Sequence, residues 1–349
     1  MRGKAFKMSK LFILGAGFSK AVFPDEMPLM KDLADCIEAE LDKFPDKFPK
    51  DSAYRKFMKD KDVEGLMTYL HQEIPWKPDY DIKYDEGLLL TLLDCIGEYI
   101  TKCEEKAFQK PKQPPDWAKQ FVRYLHEKEL TVATFNYDTI LERLSKELKP
   151  EKIEQSDSNI DIRGIYQIPI SPLSLRASIG VALGDMGIVS LNTYRLLKLH
   201  GSINWFFARD MNFPGVPVYC VGFRENPNDI EYKINMAGLK PLIIPPVAEK
   251  APFYGNQLVK ILWAELKKAV DDADEIYCVG YSLPKSDYTT QIFFKTVINK
   301  VGRKVYIVNR ESDSDVLIKN YEEALPDCEL IKDYITDYKP VKKMVTDLK

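Results

Sequence analysis

Residues 10–19 read K-L-F-I-L-G-A-G-F-S, and this stretch decides the fold. Lys10–Leu14 is an apolar run typical of a buried strand, Gly15 and Gly17 then open a tight turn, and a helical pattern follows. A strand, a glycine-rich turn and a helix form the opening unit of nucleotide-binding α/β proteins, in which backbone N–H groups approach a phosphate. A plain tight turn stays the alternative, because Lys20 stands where the dinucleotide fingerprint has its third glycine.

Length and composition narrow the class of protein. The chain has 349 residues, with 50 Lys+Arg against 53 Asp+Glu. A single core stops growing near ~250–300 residues, so about two domains are expected. The near-neutral balance excludes the broad basic field of a typical nucleic-acid binder. The apolar run from Leu11 to Phe18 is far shorter than the ~20 residues of a membrane span, and no cleavage site of a signal peptide follows it.

The six cysteines favour a cytoplasmic protein without a structural metal. No two of them are spaced as C-x-x-C, which removes the usual zinc-binding arrangement and any disulfide framework. Scattered cysteines in a chain without a secretion signal are typical of buried, reduced thiols. We therefore expect cytoplasmic localisation, no membrane contact and no zinc.

The hydrophobic periodicity changes twice along the chain. Leucine and isoleucine recur at helical spacing between residues 30 and 114, which predicts a helical insert of three or four helices. Strand-like runs alternate with helices again from residue 115 onward. We predict an α/β fold with a Rossmann-like, mostly parallel sheet, formed by residues 1–29 plus 115–349. Residues 30–114 would be an inserted helical module that serves assembly or covers a cleft.

Individual elements follow from the same periodicity. Strands are predicted at Lys10–Leu14, Leu130–Phe135, Arg195–Leu199, Pro217–Phe223, Pro241–Ile244, Glu275–Val279 and Lys304–Val308. Helices outside the insert are predicted at Trp117–Glu127, Thr139–Lys149, Asn256–Asp271 and Ser286–Val301. The order of the strands in the sheet does not follow from the sequence.

Small or polar residues stand at the ends of four of these strands. They are Gly15–Ser19, Asn136–Asp138, Gly280–Ser282 and Asn309. Ligands of parallel α/β sheets lie beyond the carboxyl ends of the strands, so we expect these four groups to face one cleft. Each also has an ordinary explanation, since Asn136 suits a turn, Asp138 suits a helix cap, and Gly280–Ser282 suits a loop.

His200 is the candidate general base. It follows a predicted strand and precedes Gly201 and Ser202. Histidine titrates near neutral pH and often serves as a general base, although a single histidine after a strand is more often structural. His71 and His126 lie on predicted amphipathic helices, outside any turn motif, which leaves His200 by elimination.

Taken in order, these motifs resemble the sirtuin-like NAD-binding family. The matching pieces are G-A-G-F-S at 15–19, T-F-N-Y-D at 134–138, L-H-G-S at 199–202, G-Y-S at 280–282 and V-N at 308–309. The resemblance covers residues 10–30, 130–145 and 195–310. It does not cover the helical insert or residues 150–190.

The resemblance implies that NAD is bound as the substrate and that its nicotinamide N-glycosidic bond is cleaved through an oxocarbenium-like state. Asn136 would position the nicotinamide ribose and a water, Asp138 would support that site, and His200 would be the base. The residues implied to bind the pyrophosphate and the riboses are Gly15, Ala16, Gly17, Ser19, Gly280, Ser282 and Asn309.

Two departures from the family are informative. Protein deacylases of this family carry a four-cysteine zinc module, and this chain has no C-x-x-C; a helical stretch also replaces the short cofactor loop. The chain is similar to the divergent bacterial branch used in antiphage defence, which hydrolyses NAD to nicotinamide and ADP-ribose within assemblies. That branch implies a homo-oligomer, with a HerA-type ATPase or an Argonaute-like protein as partner. An NAD or ADP-ribose sensor without catalysis, an NAD-dependent protein deacylase and a structural scaffold stay open as alternatives.

Overall fold

The structure is a computed structural model of the chain. It describes residues 9–109, 113–146, 162–168, 170–172, 193–208, 218–221, 238–310 and 314–331. Residues 151–161 are rich in polar side chains, which predicts a loop, and they lie outside the described residues. So do parts of the predicted elements Thr139–Lys149 and Pro217–Phe223.

The described strands form two sheets. They are β1 (Lys10–Leu14), β2 (Thr131–Thr134), β3 (Ser171–Pro172), β4 (Arg195–Lys198), β5 (Gly201–Ala208), β6 (Tyr219–Cys220), β7 (Leu239–Ile243), β8 (Glu275–Val279), β9 (Lys304–Val308) and β10 (Glu329–Ile331). The predicted strands Lys10–Leu14, Glu275–Val279 and Lys304–Val308 are confirmed end to end. The other predicted strands differ at their ends by one residue or more, and β7 begins two residues earlier than predicted.

The central sheet confirms the α/β fold class and its mostly parallel character. Its six strands run in the order β10-β9-β8-β1-β2-β4, and every pairing is parallel. Counted along the chain within this sheet, that order is 6-5-4-1-2-3, which is the 3-2-1-4-5-6 order of Rossmann folds read from the other edge. The order reverses between β1 and β8, where such sheets open a crevice for a ligand.

The helices cover the sheet and form the stretch between β1 and β2. They are α1 (Ala16–Val22), α2 (Leu33–Leu41), α3 (Ala53–Lys59), α4 (Val63–His71), α5 (Asp79–Ala107), α6 (Asp116–Lys128), α7 (Ile140–Lys146), α8 (Ile162–Tyr166), α9 (Gln257–Asp272), α10 (Tyr288–Phe293), α11 (Asn299–Val301) and α12 (Ser314–Ala324). A π-helical turn at Phe294–Ile298 joins α10 to α11. None of the helices in the described part of the chain has the length and apolar character needed to cross a bilayer.

Helices α2 to α5 occupy the stretch predicted to be helical, and α5 reaches from there to the sheets. Its 29 residues correspond to a length of about 44 Å. Leu92 and Ile96 are fully buried on one face, at the spacing expected of a helix that packs against a core. The helix also contacts β5 and β7 of the second sheet. Its buried residues belong to one continuous apolar cluster with the central sheet, so the division into two domains stays a prediction.

The chain passes from the central sheet to the second sheet at His200. Strand β4 ends at Lys198, and β5 begins at Gly201 in the second sheet, whose order is β3-β6-β5-β7. Gly201 has φ +80°, and a Cβ atom there would lie 1.9 Å from the carbonyl oxygen of Leu242. Glycine is therefore required at this corner, which holds His200 at the carboxyl end of β4.

Candidate active site at the carboxyl edge of the central sheet

The last residues of five strands of the central sheet pair with one another in a single row. Leu14 pairs with Thr134 and with Val279, Thr134 pairs with Lys198, and Val279 pairs with Val308. Each motif found in the sequence begins one or two residues beyond this row. Parallel pairing in this register therefore explains why motifs far apart in sequence meet at one edge.

A cleft of about 1450 Å³ opens along this edge. The predicted site residues that line it are Gly15, Ala16, Gly17, Asn136, Asp138, His200, Gly280, Ser282 and Asn309. The stretch predicted to be a helical insert contributes Glu64 and Ile100 to the same walls. The expectation that the strand-end motifs share one cleft agrees with the geometry, whereas their roles toward a ligand stay predictions.

The two glycine turns hold each other in place by backbone contact. The Gly17 N–H donates to the carbonyl oxygen of Gly280 over 2.9 Å, and the Gly15 N–H donates to that of Val279 over 3.0 Å. Gly280 has φ +62°, and a Cβ atom on it would lie 2.1 Å from the Phe18 nitrogen. A Cβ atom on Gly15 would in turn lie 2.6 Å from the Gly280 carbonyl oxygen, so Gly15 and Gly280 are both required by the close approach of two chain segments.

The side chain of Asn136 has a fixed orientation. Its Nδ2 donates to the Gly15 carbonyl oxygen and to Ser19 Oγ, each over 2.9 Å. A carbonyl oxygen can only accept, so the amide nitrogen must face Gly15. Since both amide hydrogens are used, a ligand in the cleft can engage only the acceptor oxygen of Asn136. That atom suits a ribose hydroxyl or a water.

Ser19, predicted to contact the pyrophosphate, is buried and does not line the cleft. Its hydroxyl is buried, accepts from Asn136 and donates to Asp138 Oδ2 over 2.5 Å. Asp138 also accepts from the Ile140 N–H over 3.3 Å, at the start of α7. Burial raises the pKa of Asp138 above its usual range, against the opposing charge of Lys198. In this structure Ser19 therefore orients Asn136 and Asp138 through its hydroxyl, and Asp138 also accepts the first backbone N–H of α7, so its alternative explanation as a helix cap stays open.

Glu104, near the end of α5, supports the same turn from the helical stretch. Its carboxylate accepts from the backbone N–H of Thr139 and, over 2.6 Å, from the Thr139 hydroxyl. Arg143 Nε lies 3.0 Å from it. Burial raises the pKa of Glu104 to about 7, although Arg143 opposes the shift. The sequence analysis did not identify Glu104, because a charged residue on a predicted helix carries no motif.

A fully buried lysine of β4 contacts the turn that contains Asp138. Lys198 Nζ lies 3.0 Å from Glu142 Oε1 and donates to the main-chain oxygen of Asp138. The Tyr166 hydroxyl donates to the same Glu142 oxygen over 2.9 Å. A buried charge is tolerated only when it is paired and hydrogen-bonded, as here. Residues 136–139 are thus held by side chains from α1, α5 and β4, and Glu142 of α7 pairs with the β4 lysine.

His200 is buried beside an acid and a base that the sequence analysis did not identify as site residues. Its Nε2 is buried, lies 3.7 Å from Asp287 Oδ2 and has no hydrogen-bond partner among the described residues. Lys250 Nζ lies 2.8 Å from Asp287 Oδ1. Burial, assisted by the charge of Lys250, lowers the pKa of His200 to about 3, so the imidazole is neutral at ordinary pH.

Asp287 carried a recognisable sequence signal, whereas Lys250 carried none. Asp287 is the N-cap of α10 and accepts from the Thr290 N–H over 3.4 Å, and Asp before a helical pattern is a usual cap. Lys250 lies in an irregular segment after β7 and is 2% exposed. Only the tertiary structure brings these two side chains to His200.

The opposite end of the cleft holds Ser282 and Asn309. Asn309 Nδ2 donates to the Tyr281 carbonyl oxygen over 3.5 Å, and the Tyr321 hydroxyl donates to the same oxygen over 2.9 Å. Ser282 is exposed in the cleft wall, and its carbonyl oxygen accepts from Asn320 over 3.3 Å. These contacts fix the backbone after β8 without using the Ser282 hydroxyl.

No cluster of three or more His, Cys, Asp or Glu side chains is placed to hold a metal ion within the described ranges. All six cysteines are free thiols. The expectation of a chain without zinc stays a prediction.

Comparison with known proteins finds similarity only among solved structures. No protein-family model matches the chain, and no curated protein matches it. Similar structures include a Sir2 homologue in complex with NAD, 12% identical with a TM-score of 0.40, covering 98% of this chain and 90% of that chain. A structure on sirtuin substrate affinity is 14% identical with a TM-score of 0.42, covering 97% and 93%.

A Sir2 homologue mutant in complex with ADP-ribose is also similar, 12% identical with a TM-score of 0.39, covering 97% of this chain and 92% of that chain. TM-scores this low carry no functional argument. The geometry of this chain's own cleft therefore has to support any function assigned to it.

Proposed function

We propose that this protein is an NAD hydrolase, which cleaves the nicotinamide N-glycosidic bond to give nicotinamide and ADP-ribose. The observation that carries the proposal is the placement of Asn136 and His200, which follow paired residues of adjacent strands and line one cleft. The sheet has the dinucleotide-binding strand order. The cleft of about 1450 Å³ exceeds the ~300–1,000 Å³ of usual small-ligand pockets, which leaves room for an extended dinucleotide.

Residues of this chain would bind the phosphates and ribose of NAD and accept the proton released in the reaction. Gly15, Ala16 and Gly17 would receive the pyrophosphate, and Asn309 the adenosine ribose. The bond between C1′ and the nicotinamide nitrogen breaks, and its electron pair leaves with nicotinamide as the pyridinium loses its charge. A water held by the acceptor oxygen of Asn136 forms the new bond to C1′. Its proton passes to the neutral imidazole of His200, a step worth ~10²–10⁴-fold in rate.

A second candidate function is an NAD or ADP-ribose sensor without catalysis. The observation in its favour is the pKa of His200, which burial lowers to about 3. A general base works best when its pKa lies near the operating pH, so this imidazole is a weak acceptor until anionic groups of a ligand come close. The protein deacylase alternative has no such observation in its favour.

We further propose that the enzyme is an NAD-depleting effector of bacterial antiphage defence, cytoplasmic and active within an assembly. This part rests on the resemblance of the sequence motifs. A homo-oligomer with a HerA-type ATPase or an Argonaute-like protein is the assembly implied. Residues 30–114 would provide the assembly surface or cover the cleft, to whose walls Glu64 and Ile100 belong.

Incubation of the purified protein with NAD, alone and with its co-expressed genomic neighbours, tests the proposal. We expect nicotinamide and ADP-ribose in equal amounts, quantified by chromatography. Saturable NAD binding without nicotinamide release under all these conditions would favour the sensor. Release of O-acyl-ADP-ribose from an acetylated peptide would identify a deacylase.

A further inference from the structure

Within the part of the chain that the structure describes, Nε2 of His200 has no hydrogen-bond partner, and it is shielded from solvent. Nε2 is buried, and its nearest acidic neighbour is Asp287 Oδ2 at 3.7 Å. A buried polar atom without a partner costs free energy, so such an atom at a cleft wall indicates a contact that forms when a ligand is bound. Catalytic hydrogen bonds are often long in ligand-free structures and shorten in the complex.

The carboxylate of Asp287 is oriented so that only one oxygen faces His200. Oδ1 accepts from Lys250 Nζ over 2.8 Å and from the Thr290 N–H over 3.4 Å. Oδ2 is the oxygen nearest to the imidazole. Burial works against ionisation of Asp287, whereas Lys250 favours it through its charge and its hydrogen bond, and a protonated His200 would favour it further, so the pKa of this carboxyl lies below its usual range. At neutral pH Asp287 is therefore an anion paired with Lys250 and directed at a neutral imidazole.

We propose that Asp287 is a positioning residue, which accepts the Nε2 hydrogen of His200 and so leaves Nδ1 as the proton acceptor of the reaction. The proposal rests on the proposed function, because it assigns the reacting atom of the proposed base. When Nδ1 takes the proton released by the attacking water, Nε2 keeps its own. The resulting imidazolium then lies beside the Asp287 carboxylate, which stabilises it.

Lys250 explains how this acid can be buried next to the base. A lone buried carboxylate would become protonated and could then donate to Nε2, which would select the opposite tautomer. The ammonium of Lys250 keeps Asp287 ionised and balances its charge until the imidazolium forms. Glu64 from α4 is the further acid near this pair, since the charges of Lys250 and Asp287 both influence its pKa. The pair therefore acts through its charge and not only through packing.

The tautomer of His200 is directly measurable in the full-length protein. The chain has three histidines, so ¹⁵N-histidine labelling and long-range ¹H–¹⁵N correlation give three ring signals, and the His200→Ala spectrum assigns one of them. We expect the Nε2–H tautomer for His200 at neutral pH. The Nδ1–H tautomer in the wild-type protein would overturn the proposal without any need for a variant.

The double variant Asp287→Asn/Lys250→Met tests the role of the pair. Changing both residues leaves no orphaned buried charge, so the variant is expected to fold. We expect mixed tautomers at His200 and a kcat for NAD cleavage ~10²-fold lower, with KM changed less than threefold. Asp62→Asn is the matched control, because Asp62 caps α4 through the Gly65 N–H and does not line the cleft.

The outcomes separate this proposal from the proposed function. An unchanged His200 tautomer in the folded double variant would overturn the positioning role. The Nε2–H tautomer of His200 in a wild-type protein that never cleaves NAD would instead disprove the hydrolase function and still support the Asp287–His200 contact.

Discussion

Gly15 and Gly280 lie against each other at the ends of the two central strands. A Cβ atom on Gly15 would lie 2.6 Å from the Gly280 carbonyl oxygen, and that oxygen accepts the Gly17 N–H over 2.9 Å. The contact joins β1 to β8 at the point where the strand order reverses. The floor of the cleft is therefore two glycine turns that interlock through their backbones, and we expect each turn to depend on the other for its shape.

Gly280→Ala should destabilise the protein and weaken ligand binding together. Alanine at φ +62° costs ~1–2 kcal/mol, and its Cβ would lie 2.1 Å from the Phe18 nitrogen, so we expect a loss above ~2 kcal/mol in the free energy of unfolding. Urea denaturation measures this change. Gly87→Ala is the control, since no atom lies within 4 Å of its added Cβ and α5 should gain up to ~1 kcal/mol. Equal stability of the two variants would contradict the interlock.

His200→Ala should abolish most NAD cleavage while NAD affinity falls only modestly. The phosphate and adenosine contacts proposed here lie at Gly15–Gly17 and Asn309, away from the imidazole, so the loss falls on the chemical step. We expect kcat to fall by at least ~10²-fold under activating conditions. The Kd for NAD is measured on the same variant. His71→Ala, at the end of α4 and not among the residues that line the cleft, should cleave at the wild-type rate. A folded His200→Ala protein with wild-type activity would remove the base assignment.

Asn136→Ala should impair both the cleavage and the floor of the cleft. It removes the acceptor proposed for water and leaves the Gly15 carbonyl oxygen and Ser19 Oγ without their donor. We expect a cleavage rate lowered ~10²-fold and a loss of ~1–3 kcal/mol in the free energy of unfolding. Product analysis measures the rate, and thermal denaturation measures the stability. Asn320→Ala serves for comparison, because Asn320 lines the other end of the cleft. An equal loss of activity in both variants would argue against a specific role of Asn136.

Glu104→Gln should change the pH dependence of stability. Burial raises the folded-state pKa of Glu104 to about 7, whereas an unfolded glutamate titrates near ~4.3. The folded chain thus binds this proton more tightly, and its stability falls as pH rises from ~4.3 to 7. Glutamine does not titrate. The free energy of unfolding of the variant, relative to that of the wild type, should therefore rise by on the order of 3 kcal/mol as the pH rises across this window.

Denaturation at several pH values measures this gain. Glu98→Gln on the same helix is the control, because Glu98 is exposed and should leave the pH profile unchanged. A stability difference between Glu104→Gln and wild type that is constant with pH would contradict the raised pKa.

Elemental analysis of the purified protein should find no zinc. Cys36 lies on α2, Cys95 and Cys103 on α5, Cys220 in the second sheet and Cys278 in the central sheet. Cys36 and Cys95 are neighbours, but no group of three or more His, Cys, Asp or Glu in the described part of the chain is placed to supply the converging ligands of a structural site. One tightly held zinc per chain would disprove the expectation and favour the deacylase hypothesis.

The sequence by itself determined the class of fold and most of the cleft. A strand such as Glu275–Val279 is buried on both faces, so its apolar run ends where burial ends, and the polar residues beyond it mark the sheet edge. Because parallel strands end at one edge, Gly15, Asn136, Gly280 and Asn309 could be assigned to one cleft before their neighbours were known.

Only the tertiary structure decided the order of the strands and the neighbours of each site residue. The ion pair of Lys250 and Asp287 at His200 joins two segments 37 residues apart, and Glu104 reaches Thr139 from 35 residues away. Burial sets the pKa of His200, and hydrogen bonds between distant segments set the orientation of Asn136 and Ser19. Both result from packing of segments that are far apart in the sequence. Local sequence patterns do not contain such long-range contacts, because they record the periodicity of one element and not what packs against it.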